Sequence, residues 1–313
     1  MSKAWKLDQR LLLGIVIIVL VAVVGVINPR FITLNNVIAI FQQIAVLGVL
    51  TMAMSMLLIS GGIDLSIGSM MTLSAVVVAT VLMKGSNMFT AILAGVGIAV
   101  LCGLFNGVII AKSRCMPLII TLGTSQVFYG ISLLIAGGSF LQFQNRLDFM
   151  RTIKLAGFLP LMVIFMIIVC FMVYFLLERT KFGRRIVAIG GNEKNAYLSG
   201  ISVDLYKIIT YGISGAIVAI AGLIFAARLN AITANAGSGY ELNALVAAVI
   251  GGVTFEGGRG TVLGAFLGCL LIGIISNALD ILGVDAYIKI VITGLIIVVA
   301  VVLSNIQNLT RRK

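Results

Sequence analysis

Residues able to do chemistry are few in this sequence and widely spaced. Only ten of its 313 residues are acidic, and histidine is absent. That absence removes the commonest acid–base catalyst and metal ligand. Asp64 is the carboxylate in the most distinctive setting, within Ser60-Gly61-Gly62-Ile63-Asp64-Leu65-Ser66-Ile67-Gly68-Ser69. The glycines there permit turns or close backbone approach. Asp64 and Ser66 are placed to cap the helix that follows by accepting its free N–H groups. A carboxylate among apolar segments is costly and commonly functional, so lining a pathway or locking a broken helix stands beside the capping role. Gln42, Gln43, Asn106, Thr121, Thr124, Gln126 and Asn277 also interrupt apolar runs. Each suits an interhelical hydrogen bond. Each equally suits a path for a sugar, which needs hydroxyl, amide or aromatic partners and no net charge. Cys102, Cys115, Cys170 and Cys269 lie in or beside apolar segments without metal-ligand spacing, and read as small apolar residues. A glycine-rich loop ending Gly-Lys-Ser or Gly-Lys-Thr would hold a nucleoside triphosphate. Gly257-Gly258-Arg259-Gly260 lacks that lysine and hydroxyl. The sequence therefore points to no catalytic, cofactor or metal site, and any uphill work would draw energy from another chain.

The elements that must position these residues are membrane helices. Hydrophobic residues make up 61% of the chain and charged residues 10%, against about 25% charged in soluble domains. A helix crosses the hydrocarbon core in about 20 residues. The apolar runs predict an all-α polytopic membrane protein of about ten spans, a single membrane domain over residues 1–313. The spans read as 11–27, 37–59, 70–83, 88–111, 116–136, 159–177, 208–227, 242–253, 261–282 and 286–303, the third and eighth short. The first resembles a signal peptide, but Asn28-Pro29-Arg30-Phe31 follows where a small-residue cleavage site would stand. It reads as a retained helix. The net charge of +12 follows the positive-inside rule rather than marking a nucleic-acid partner. With the N-terminus inside, fifteen basic residues fall inside: Lys3, Lys6, Arg10, Lys112, Arg114, Arg179, Lys181, Arg184, Arg185, Lys194, Lys207, Arg259, Arg311, Arg312 and Lys313. Six fall outside, namely Arg30, Lys84, Arg146, Arg151, Lys154 and Arg228, while Lys289 sits within the last span. This predicts both termini in the cytoplasm. Trp5 suits an interfacial anchor.

Two further patterns stand out. Small residues four apart, such as Gly103 with Gly107, Gly212 with Ala216, Gly222 with Ala226 and Gly264 with Gly268, let membrane helices approach closely. Gly251-Gly252-Val253-Thr254-Phe255 also echoes Gly61-Gly62-Ile63-Asp64-Leu65, as an internal repeat or as a recurrent glycine turn. The stretch from Arg179 to Val203 is too polar to span. Glu193, Lys194, Asn195 and Ala196 can start a short helix there that Gly200 ends. That helix either lies on the membrane surface or docks a cytoplasmic partner.

At these segments the chain resembles the permease subunits of ribose, xylose, arabinose and galactoside ABC importers. The resemblance is carried by residues 60–69, by Ile189-Gly190-Gly191-Asn192-Glu193 with Leu198-Ser199-Gly200-Ile201, and by Gly239-Tyr240-Glu241-Leu242. Gly251 to Gly260, Asn277 and Leu282-Gly283-Val284 extend it. It runs from about residue 28 to 305 and implies the ABC importer permease fold. It further implies two permease subunits, commonly identical, in the bacterial inner membrane and in contact with lipid. A cytoplasmic ATPase uses ATP, while this chain binds no cofactor. A soluble receptor delivers a monosaccharide, with ribose or a similar pentose favoured. It assigns Gly191, Asn192, Glu193, Ala196, Leu198, Ser199 and Gly200 to the loop that couples the permease to the ATPase. The stretch 137–158, expected outside near the receptor, departs from the family pattern. Permeases of the same type for other small solutes, and carriers driven by an ion gradient, are the alternative readings.

Overall fold

The computed structural model describes residues 9–155 and 157–311. Lys3, Trp5, Lys6, Arg312 and Lys313 of the charge and anchor arguments lie outside the described residues. Helix α1 (Gln9–Ile27) leads through a 3₁₀ turn at Pro29–Ile32 into α2 (Leu34–Ile59), α3 (Ile67–Met83), α4 (Met88–Ser113) and α5 (Pro117–Ala136). A loop layer follows with strand β1 (Leu141–Gln142), the short α6 (Phe149–Thr152), β2 (Lys154–Leu155) and β3 (Leu159–Pro160). Next come α7 (Leu161–Arg179), α8 (Lys181–Gly191), α9 (Glu193–Leu198) and α10 (Val203–Leu229). Strand β4 (Ala231–Ile232), α11 (Tyr240–Ile250), α12 (Val262–Ile281) and α13 (Ala286–Arg311) complete the chain order. The boundaries carry local causes. Asn87, Thr180, Asn192 and Thr261 each accept a backbone N–H with their side chains at the starts of α4, α8, α9 and α12, relieving donors that a helix start leaves free. Pro117 opens α5, where a missing N–H costs nothing.

The expectation of about ten spans is met in part. Among the described residues, seven helices are long and apolar enough to cross a membrane: α1, α2, α4, α5, α7, α10 and α12. Three shorter apolar helices accompany them, namely α3, α11 and residues 286–296 of α13. At 1.5 Å per residue, α3 is roughly 26 Å long and α11 roughly 17 Å, short of a hydrocarbon core of about 30 Å. Helix α3 starts at Ile67, three residues before the expected 70, while α11 stops at Ile250 because Gly251 and Gly252, counted within the expected span, are not helical.

Helices α2 and α10 form the centre. Every residue of α2 from Ile44 to Ile59 is buried, and α2 packs against α7, α10, α11 and α12. Helix α10 also packs against α3 and α4. Helix α1 lies at the periphery, with Leu11, Ile18, Val19 and Val26 exposed, as suits a lipid-facing helix. Small residues set the closest approaches. Gly103 and Gly107 of α4 lie against the α10 backbone at Tyr211 and Ile208, and Gly264 and Gly268 of α12 lie against Gly251 and Ala247. Gly222 of α10 faces Met71 and Ala75 of α3, and Gly212 faces Leu104 of α4.

The all-α reading holds for the bundle, with two small strand pairs added. Strand β1 pairs antiparallel with β4 (Leu141 opposite Ile232), and β2 pairs with β3 (Lys154 opposite Pro160). Beside the first pair, Asn145 N–H donates to Asn230 Oδ1 (2.9 Å) and Asn230 Nδ2 donates to Asn145 Oδ1 (2.6 Å). Both asparagines have positive φ, a region asparagine tolerates better than most residues. The loop after α5 is thereby tied to the loop after α10.

Candidate functional site

The turn between α2 and α3 is held by its own carboxylate. Asp64 is fully buried. Its Oδ1 accepts the Ser66 N–H (2.8 Å) and the Ser66 hydroxyl (2.5 Å), and its Oδ2 accepts from Asn106 Nδ2 (3.2 Å). Asn106 Nδ2 also donates to Ser66 Oγ (2.8 Å), bringing α4 to the turn. Thr121 of α5 accepts the Leu65 N–H (3.1 Å), and the Tyr211 hydroxyl of α10 donates to the Ile63 carbonyl (2.9 Å). Three helices therefore converge on one turn, and buried polar groups are stable only when paired in this way. Ser66 stands just before α3, but its hydroxyl makes no capping bond to that helix. Asp64 reaches only as far as the Ser66 N–H. The bonds fix the turn rather than relieve the first turn of α3.

A second broken segment bounds a cavity. After β4 the chain turns inward, and Gly237 N–H donates to Thr72 Oγ of α3 (2.8 Å). Gly68 and Gly237 touch backbone to backbone. Helix α11 starts there, with Glu241 accepting the Gly239 N–H (3.0 Å). A cavity of about 720 Å³ lies between this start and α2, α12 and α13. Gln43, Arg228, Ser238, Tyr240, Asn243, Ser276, Lys289 and Thr293 supply its polar groups, while Leu47, Val246 and Ile272 are among its apolar ones. Lys289 pairs with Asp280 (2.7 Å), and Gln43 Nε2 donates to Asp280 (3.2 Å) and Ser276 (3.3 Å). Basic groups, amides and hydroxyls on a largely apolar wall suit a small polar ligand held by directed hydrogen bonds.

Of the polar residues singled out from the sequence, only Gln43 lines this cavity. Asp64, Ser66, Asn106 and Thr121 gather at the α2–α3 turn. Thr124 donates to the Thr121 carbonyl within its own helix (3.3 Å), Gln126 is exposed on α5, and Gln42 is half-buried outside the cavity lining. Asn277 accepts from Asn36 of α2 (3.0 Å). Ser238, Asn243, Ser276 and Lys289 were missed. Ser276 adjoins Asn277 in sequence. One residue rotates a helix side chain by about 100°, so a neighbour of the chosen residue faces the cavity.

On another face, α8 and α9 form a short hooked pair. Asn192 caps α9 by accepting the Asn195 N–H (2.9 Å), and Gly200 ends the hook at φ +80°. Ala196 is buried, whereas Tyr197 and Leu198 are 70% and 72% exposed. Glu193 pairs with Lys207 of α10 (2.7 Å), and Lys112 of α4 with Asp204 (3.1 Å). A groove of about 1160 Å³ opens between this hook and the junction of α4 with α5, lined by Arg114, Met116, Lys194 and Tyr197 among others. Gly191, Ser199 and Gly200 are exposed beside it.

The model for the family described as branched-chain amino acid transport system / permease component matches residues 36–301. The ribose import permease protein of Escherichia coli (strain K12) is 35% identical over 312 residues, covering 97% of this chain and 95% of that protein. Its namesake in Bacillus subtilis (strain 168) is 36% identical over 289 residues, covering 92% and 90%. The D-allose transport system permease protein of Escherichia coli (strain K12) is 36% identical over 294 residues, covering 93% and 90%. No solved structure matches the chain. A match across most of the chain, on a bundle of membrane-crossing helices with a polar-lined cavity, shows that the chain belongs to the family of branched-chain amino acid transport system permease components.

Proposed function

We propose that this chain is the membrane-spanning permease subunit of an ATP-driven ABC importer for a monosaccharide, with ribose the favoured sugar. Near full-length similarity to ribose import permeases of two distant bacteria carries this reading. The cavity beside α11 supports it. Its Lys289 is neutralised by Asp280, and the amide and hydroxyl groups that stand beside Arg228 in the lining suit a polyol. In this reading α3, α11 and α13 complete ten crossings with their adjoining non-helical segments. Both termini face the cytoplasm of a bacterial inner membrane. A second copy of this chain, a cytoplasmic ATPase and an extracytoplasmic sugar-binding protein complete the machine, and ATP is hydrolysed only on the ATPase. The exposed Tyr197 and Leu198 beside the Asn192 cap support α9 as the ATPase-docking helix. The loop layer around β1–β4 faces the sugar-binding protein. Asp64, Ser66, Asn106 and Thr121 keep the α2–α3 turn in place while α11 and its neighbours open and close the path.

The test is reconstitution of the permease with its ATPase and binding protein in liposomes. D-ribose uptake that requires both partners and ATP is expected. Uptake driven by an ion gradient without the ATPase would sink the reading. The family description favours a branched-chain amino acid as the second reading, and competition of leucine with ribose for the binding protein separates the two.

A further inference from the structure

Three segments far apart in the chain meet by their main chains. Gly258 N–H donates to the Ile59 carbonyl at the end of α2 (2.8 Å). A Cβ on Gly190 of α8 would fall on that same carbonyl and on Gly258 N. A Cβ on Gly257 would meet the Gly190 carbonyl at 2.7 Å and Gly61 Cα at 2.9 Å, and one on Gly258 would meet Gly191 Cα at 2.6 Å. Gly61, Gly257 and Gly258 have φ of +80°, +83° and +69°, values that glycine adopts without strain. The junction therefore joins the α2–α3 turn, the end of α8 and the α11–α12 turn with no side chain between them. Such a contact has no rotamers to absorb displacement, and close-packed interiors transmit strain.

The two sides of this junction have different attachments. On one side, α8 runs through the Asn192 cap into α9, and Ile189, Ala196 and Val203 close a small core of their own with Ile201 and Tyr206. The end of α8 and α9 are thereby one body. On the other side, the turn at 251–260 adjoins α11, whose opposite end lines the cavity through Gly239, Tyr240 and Asn243. We propose that Gly190, Gly257 and Gly258 are positioning residues for transport: their main-chain junction carries movement of α8–α9 to α11 and so to the cavity. This rests on α9 being the ATPase-docking helix. Gly97 of α4, outside the junction and the docking loop, provides an internal control, because a Cβ there meets open space.

The test uses the full chain co-purified with its ATPase in liposomes. A cysteine at Ser238, in a Cys115→Ser background, reports on the cavity through its reaction rate with an impermeant maleimide. The rate is compared without nucleotide and with ATP plus vanadate. A change of about fivefold or more is expected in the reporter protein and in Gly97→Ala. Gly190→Ala and Gly258→Ala are expected to shrink it below about twofold while the ATPase still co-purifies and hydrolyses ATP. Thr254→Val removes the hydroxyl that donates to the Gly257 carbonyl (3.2 Å) without adding bulk at the junction. It should give an intermediate response and serves if the alanine variants do not fold. A full response in both alanine variants, or in Thr254→Val, would overturn the proposal, as would a reporter protein indifferent to nucleotide. Failure of the ATPase to co-purify with the reporter protein would instead strike the docking assignment, and the proposal with it.

Discussion

Asp64 shows how one side chain holds a turn and ties it to a neighbouring helix. Its carboxylate accepts two bonds from Ser66 and one from Asn106. Asp64→Ala would leave buried donors without partners, at about 1–3 kcal/mol for each orphaned group. A clearly lowered melting temperature in detergent is therefore expected, with smaller loss for Asp64→Asn, which keeps an acceptor. Ser214 is the counter-case. Its hydroxyl is buried with no partner among the described residues, so Ser214→Ala should leave the melting temperature unchanged or raise it. A Ser214→Ala protein that melts far lower would show that the hydroxyl has a partner. The importance of residue 64 was legible in the sequence, because a carboxylate among glycines and apolar residues needs a reason. Its distant partner Asn106 was not, nor was the bond of the next residue's N–H to Thr121, since these lie about 40 and 60 residues away and hydropathy carries no pairing information. At the cavity, composition suggested amides and hydroxyls, but phase around each helix decided which ones face it. Gln43 and Ser276 do, and Asn277 bonds to α2 instead.

At the scale of elements, the pairing of α4 with α10 depends on glycine. Lipid tails are as apolar as leucine, so such helices associate through close packing rather than through a hydrophobic drive. Gly103 sits directly against the Tyr211 carbonyl, while Gly97 on the same helix faces open space. Gly97→Ala should be neutral or gain up to about 1 kcal/mol from helix propensity. Gly103→Ala has the same propensity gain but must separate the helices, and should lose about 1–3 kcal/mol net. Equal melting temperatures for the two variants would refute this account of the interface. The glycine spacing revealed that such contacts exist, and the structure assigns each its partner. The long helices were legible because nothing else explains runs of this length and hydropathy. The end of α11 was not. Its neighbouring Gly251-Gly252 turn is nearly as apolar as helix, so only backbone geometry separates the two. The two strand pairs left no trace at all, since two-residue strands have no periodicity to detect.

For the whole molecule, the placement of charge makes a direct claim about sidedness. Lys194 on α9 is exposed. In an intact cell, Lys194→Cys should resist an impermeant thiol reagent and react only after the inner membrane is opened. Labelling from outside would invert the topology. The way the chain folds back on itself also bears on its integrity. The Asn145–Asn230 exchange and the β1–β4 pair clasp the first five long helical segments to α10 at one end, while α2 is surrounded by α7, α10, α11 and α12. Gly157 lies in the exposed turn between β2 and β3, where an added Cβ meets nothing. Continuity of the peptide chain at that turn is therefore dispensable: two separately synthesised pieces divided there should find each other in the membrane and co-purify as one permease, and their failure to do so would mean that the clasp forms only in an unbroken chain.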